Sequence, residues 1–170
     1  MSRRVGVFLG CAGLVLALDQ VTKAGVSARL VLSEPVSVLG EFVRLTLVHN
    51  RGAAFGLFPG SPLPFILVSV LAIGVVLYLF ARDAYRSLAS RLLLGCILGG
   101  ALGNLIDRVR WGYVVDFIEV GVGRYHWPVF NVADSAVTLG VLLLAWNLAR
   151  SGRSASAAAE DASGTTVAGG

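Results

Sequence analysis

The sequence predicts an all-α membrane protein, four transmembrane helices carrying one small β-rich cap, and three observations point there. The 170-residue chain is 56% hydrophobic with a mean hydropathy of +0.79, too apolar for an ordinary soluble domain. Four apolar segments are long enough, or nearly so, to cross a hydrocarbon core of about 30 Å. Between the first two, the pattern switches to an alternation of period two.

The first helix is expected over about 5–26. Arg3-Arg4 and Leu9-Gly10-Cys11 faintly resemble a secretory signal with a lipidation box. The apolar part before Cys11 is too short for that, and the run continues to Leu18, so a spanning helix is expected rather than a removed peptide. It ends in Leu18-Asp19-Gln20-Val21-Thr22-Lys23. Asp19 and Lys23, four apart, share a face and are placed to form an ion pair. The alternative is a snorkelling lysine with its counter-ion at the interface. Lys23 is the only lysine in the chain.

From about 29 to 60 a strand-rich cap on the membrane surface is expected. Phe42-Val43-Arg44-Leu45-Thr46-Leu47-Val48-His49 alternates, the stretch from Arg29 to Val38 is rich in β-branched residues, and Gly40-Glu41 makes a turn. Asn50-Arg51-Gly52 breaks the strand. There and in Ala53-Ala54-Phe55-Gly56, small residues would let a backbone approach a bound peptide closely, or simply make a tight turn. A second helix follows over about 62–80, entered through prolines. After a polar loop at Arg82-Asp83-Ala84-Tyr85-Arg86 comes a third, over about 91–108, whose Gly95, Gly99, Gly100 and Gly103 permit close helix packing. Residues 109–128 read as a loop. A fourth helix spans about 130–148, with Trp127 and Trp146 as interfacial anchors. The Ser/Ala/Gly-rich tail, 151–170, is expected to be disordered.

Four crossings put both termini on one side, and the cap and the 109–128 loop on the other. Basic residues tie between the sides, but Arg3-Arg4 and the compact loop at 82–91 favour a cytoplasmic terminal side. The net charge of +4 is spread over loops and helix ends without a basic, aromatic-interleaved cluster, so no nucleic-acid partner is expected. Cys11 and Cys96 lack CxxC or CxxH spacing, indicating neither a disulfide framework nor a zinc site. His49 and His126 read as interface residues rather than metal ligands.

The unusual stretch runs from Gly103 to Asp134, where acids, asparagines and an arginine interrupt an apolar chain. Such groups at membrane depth are costly unless they face a partner, a cavity or a reaction. With this topology Asp19, Asn50, Asn104, Asp107, Arg108, Asp116, Asn131 and Asp134 all fall near one membrane surface. Asn131 and Asp134 share a face at a helix start, and Asp116 reaches their level from the loop. Two aspartates sharing one proton can act as base and acid in turn on a peptide carbonyl and its attacking water. Ion binding in a transporter is nearly as natural, and a Ser-Lys protease using Lys23 with Ser27 is a third reading.

Over roughly residues 5–150 the chain resembles the lipoprotein signal peptidases (signal peptidase II, prolipoprotein signal peptidase). The matching blocks are Leu18–Lys23, His49–Gly56, Gly99–Arg108, Val115-Asp116-Phe117 and Phe130–Ser135, with no departure at any motif position. The resemblance implies a four-helix aspartyl peptidase of residues 1–150 in the bacterial cytoplasmic (inner) membrane, with an extracytoplasmic β-rich cradle and cytoplasmic termini and tail. It implies cleavage of diacylglyceryl-modified prolipoproteins just before the lipidated cysteine. Asp116 and Asp134 would be the catalytic pair near the extracytoplasmic surface. Asn50, Gly52, Asn104, Arg108 and Asn131 would contact or orient substrate, with Asp19 and Lys23 supporting them. Asp107 would hold Arg108 or the loop. The family implies no metal and no cofactor; the partners expected are the lipidated prolipoprotein and membrane lipid, and the chain is expected to be a monomer.

Overall fold

The structure, a computed structural model, describes residues 3–52, 61–82 and 87–164, with residues 151–164 as backbone alone. Its elements are α1 (Arg3–Ser27), β1 (Pro35–Leu39), β2 (Val43–Asn50), α2 (Leu63–Ala81), α3 (Leu88–Trp111), β3 (Val114–Val122), β4 (Tyr125–His126) and α4 (Val132–Gly164). Among the described residues four helices are long and apolar enough to cross a membrane. The small-residue run at 53–56 and the loop residues 83–86 lie outside the described residues.

α3 is the hub, because its sequence lets backbones approach from two sides. A Cβ on Gly95 would lie 2.7 Å from the Phe8 carbonyl oxygen, and one on Gly99 would lie 2.5 Å from that of Ala12, so α1 packs there almost backbone to backbone. Gly100 opens the neighbouring face, where a Cβ would meet the Ala133 carbonyl at 2.5 Å, and this admits α4. Without water between helices, such close van der Waals packing is the main attraction available. The result is that 56% of the apolar window of α3 is buried, against 17% in α1, 6% in α2 and 17% in α4. α2 joins through a core of Phe8, Val76, Leu94, Ile97 and Leu98, with Phe8 stacked on Phe80 at 4.0 Å. α3 starts on Ser87, whose hydroxyl accepts from the Ser90 N–H, and stops at Gly112, a left-handed residue with φ 75°.

The strands form one antiparallel sheet in the order β1-β2-β3-β4. Gly40, at φ 56°, turns β1 into β2. On one face Arg44 pairs in register with Glu119, and Thr46 donates to the same carboxylate. The Thr46 hydroxyl and then the Arg44 guanidinium hold Glu119 below the usual carboxylate range.

Three expectations need correcting. The protein is not all-α, since the cap belongs to a four-stranded sheet. The segment 109–128 is not a loop but contributes β3 and β4. Val114, Val115, Asp116 and Phe117 are all buried, so β3 is covered on both faces and shows no alternation to read. The described backbone also continues α4 through 151–164, where disorder is expected from composition. Alanine, the best helix former, recurs through that stretch and extends an existing helix without a new nucleation step.

Candidate active site

The sheet sits on the end of the bundle where α1 and α3 finish and α4 begins, joined there by side-chain bonds. Asp107 on α3 accepts from the Val115 N–H of β3 at 3.2 Å. Asp19 on α1 accepts from the Ala133 N–H, in the first turn of α4, at 3.0 Å. Carboxylates are favoured at helix N-termini, whose first N–H groups lack intrahelical partners. Asn131 and Asp134 complete that cap reciprocally: the Asp134 N–H donates to Asn131 Oδ1 at 2.8 Å, and the Asn131 N–H donates to Asp134 Oδ2 at 3.3 Å. The sequence spacing that puts these two residues on one face is therefore a capping box.

Asp116 projects from β3 into this corner and is 1% exposed. Its Oδ2 accepts from Asn50 Nδ2 at 2.8 Å and its Oδ1 from Asn131 Nδ2 at 2.7 Å. Burial pushes its carboxyl up to about 6; the Asn50 amide opposes the rise, the nearby Asp134 charge adds to it, and the Asn131 amide again opposes it. Asp134 is only partly buried, and its Oδ1 accepts from Asn104 Nδ2 at 2.7 Å. Asn131 also donates to Asn104 Oδ1 at 3.1 Å, so one chain of amides ties the two acids together.

Behind this chain Lys23 is 3% exposed, which rules out the snorkelling alternative. Its ammonium donates to Asp19 at 2.9 Å, Asp107 at 2.8 Å and Asn104 Oδ1 at 3.0 Å, engaging all three of its N–H groups. Gln20 braces the cluster, donating to Asp107 at 3.0 Å and Asp19 at 3.2 Å. Gly103 leaves room for it, because a Cβ there would overlap the Asp19 carboxylate.

The structure thus brings Asp19, Lys23, Asn50, Asn104, Asn131, Asp116 and Asp134 into one hydrogen-bonded unit. Arg108 stands beside it: its Nη1 donates to Ser69 Oγ at 3.2 Å and to the Asn104 carbonyl at 3.4 Å, and its guanidinium lies 5.8 Å from the Phe65 ring. Three placements are made specific by the structure. Asp116 comes from a strand, which fixes its direction more firmly than a loop. Of the two partners expected for Asp107, it takes the 109–128 segment, through the Val115 N–H of β3, and it also holds Lys23 and Gln20. Gly52, at φ 80°, donates its N–H to Asn50 Oδ1 at 2.8 Å, and its bare face is filled by the Phe65 ring. It locks the Asn50 amide toward Asp116. Sequence reasoning missed Gln20 and Ser69. Gln20 was findable from its place beside Asp19 in a polar break, whereas Ser69 gave no signal, being one hydroxyl in an apolar helix that also donates to the Phe65 carbonyl.

Two grooves meet at Asp134. One of about 230 Å³ lies between α2, α3 and α4, with Arg108, Asn104 and Ser69 at its polar end. It shares Val68, Ala72 and Val137 with a wholly apolar groove of about 510 Å³ between α2 and α4. The other, of about 450 Å³, is lined by Trp127, Phe130 and Thr138. Among the described residues no group of three His, Cys, Asp or Glu side chains is arranged to hold a metal ion.

The model of the family described as signal peptidase (SPase) II matches residues 11–150. The lipoprotein signal peptidase of Syntrophus aciditrophicus (strain SB) is 43% identical over 149 residues, covering 85% of this chain and 92% of that one. That of Moorella thermoacetica (strain ATCC 39073 / JCM 9320) is 47% identical over 146 residues, covering 83% and 91%. A solved bacterial membrane enzyme, crystallised by the in meso method, superposes with a TM-score of 0.78 at 35% identity, covering 85% of this chain and 93% of that one. With four membrane-spanning helices, buried acids clasped by amides, and a family model matching nearly all of the helical body, the chain belongs to the signal peptidase II family.

Proposed function

We propose that this protein is a membrane aspartyl endopeptidase that removes the signal peptide from diacylglyceryl-modified prolipoproteins, cutting before the lipidated cysteine. The observation that carries the reading is the junction at Asn131, whose side-chain Nδ2 donates to Asp116 while its Oδ1 accepts from the Asp134 N–H. Two acids from different elements are thereby held at one point. The ionised member takes a proton from a water that attacks the scissile carbonyl, and the neutral member donates to the carbonyl oxygen. Burial raises the Asp116 carboxyl to about 6, which supports its keeping a proton up to mildly acidic pH.

The asparagines Asn50, Asn104 and Asn131 orient the acids, with Asp19 and Lys23 bracing them and Gly52 setting the Asn50 amide. Arg108, whose described hydrogen bonds use only Nη1, orients the substrate backbone from the side of α2. The apolar groove between α2 and α4 gives the acyl chains and signal helix a path from lipid to Asp134. The chain acts as a monomer in the bacterial cytoplasmic membrane, with both termini and the 151–170 tail cytoplasmic. The sheet is the extracytoplasmic cradle, the site lies near that surface, and the reaction uses no metal or cofactor.

The test is a gel-shift cleavage assay of a diacylglyceryl-modified prolipoprotein, with wild type, Asp116→Asn and Asp134→Asn, and the unlipidated precursor as control. Cleavage by wild type alone, of the lipidated form alone, is expected. If both variants still cut, the aspartyl assignment falls. A Lys23–Ser27 dyad would need a free amine, and the three occupied donors of Lys23 weigh against it.

A further inference from the structure

A cavity of about 480 Å³ shares no lining residue with the grooves around Asp134. It lies between the C-terminal ends of α1 and α3 and the sheet, and Arg110, His49, Tyr113 and Ser27 line it over a floor of Lys23 and Asp107. Nothing in the proposed peptidase reaction uses it.

The floor's charged groups are already engaged with one another, one ammonium between two carboxylates. Asp107 accepts from Gln20 on one oxygen and from Lys23 and the Val115 N–H on the other, while Lys23 donates all three protons inward. The charge left for a ligand is that of Arg110. Among the described residues no carboxylate pairs with its guanidinium, which rests 5.4 Å from the Trp111 ring. Beside it the His49 ring is stacked on Tyr113 at 4.1 Å and offers a ring nitrogen. Exposed apolar side chains lie at the opening and next to it on α1: Trp111, which lines the cavity, is 57% exposed and Val21, one residue from the lining Gln20, is 69% exposed. The cavity therefore sits where a helical surface suited to acyl chains meets the polar sheet, the level of lipid headgroups.

We infer that this cavity is a binding site for the phosphodiester of an anionic membrane lipid, held by Arg110 with His49 and Ser27, its acyl chains lying along α1 and α3. A guanidinium matches phosphate oxygens in a bidentate fork. The site favours an anionic over a zwitterionic headgroup, because among the described residues its one unpaired charge is the Arg110 guanidinium and both oxygens of its one carboxylate are occupied.

Native mass spectrometry of the full chain in mild detergent tests this, with phosphatidylglycerol and phosphatidylcholine of identical acyl chains offered in turn. One phosphatidylglycerol is expected to stay bound per chain, with phosphatidylcholine retained about five-fold less, the effect of about one basic side chain at a membrane surface. Arg110→Gln is expected to lower phosphatidylglycerol retention about five-fold, while Arg110→Lys keeps most of it. Equal retention of the two lipids by wild type, or unchanged retention by Arg110→Gln, would overturn the site. Displacement of the lipid by millimolar inorganic phosphate would overturn the lipid as its occupant and leave a free-phosphate site. Should Arg110→Gln fail to fold, the headgroup comparison on wild type decides alone.

Discussion

Lys23→Met is the substitution whose consequence the structure defines most sharply. The change keeps most of the apolar stem of the side chain and removes the ammonium, with its charge and its three N–H donors. In the wild type that charge lies 2.9 Å from Asp19 and 2.8 Å from Asp107, with all three side chains at most 4% exposed. Without it, two buried carboxylates face each other and Asn104 loses a donor to the oxygen that its amide needs balanced. Breaking a buried ion pair by removing one partner costs about 3–5 kcal/mol. At about 2–4 °C per kcal/mol for a chain of this size, the unfolding midpoint should fall by at least about 6 °C. Tryptophan fluorescence during thermal unfolding in mild detergent reads it. The decisive comparison is with Asp107→Asn, whose amide oxygen still accepts from Val115. In that background one carboxylate charge is already gone, so Lys23→Met should cost at least about 1 kcal/mol less than in wild type. A midpoint within about 2 °C of wild type, or strict additivity in the double variant, would refute the claim that this ion cluster holds the site together.

Two further outcomes follow from particular residues. The Asp116 carboxyl is raised from 3.8 to about 6, so the folded state binds its proton more tightly than the unfolded chain. This group's contribution therefore favours folding below pH 4, is lost as pH rises through about 6, and amounts to at most about 3 kcal/mol; relative to wild type, Asp116→Asn should gain stability between pH 4 and 7, which paired melts at several pH values measure. Gly99→Leu should force α1 off α3, since even a Cβ would lie 2.5 Å from the Ala12 carbonyl, costing about 1–3 kcal/mol and lowering cleavage. Gly13→Ala, with nothing within 4 Å of its Cβ, is the control and should leave the melting midpoint unchanged or raise it.

What could be read from the sequence is what depends on neighbours along the chain. Apolar length marked four spans, period two marked the strand ending at Asn50, glycine spacing marked the packing faces of α3, and the four-residue step from Asp19 to Lys23 marked an ion pair. The three-residue step from Asn131 to Asp134 placed both residues at the start of α4. What only the tertiary structure decided is what depends on contacts across elements. Strand β3 carries no alternation because both its faces are covered, so a sequence pattern alone could not tell it from a loop. The partners of Asp107 and Arg108 are adjacent in sequence yet diverge in space, since successive helical residues point about 100° apart: one faces Lys23 and β3, the other Ser69 and Phe65. Residue types and local spacing selected the groups that meet at this corner, because an apolar chain tolerates few polar ones. Their pairing was decided by three-dimensional packing, because hydrogen bonds between α1, α3, α4 and the sheet join residues dozens of positions apart.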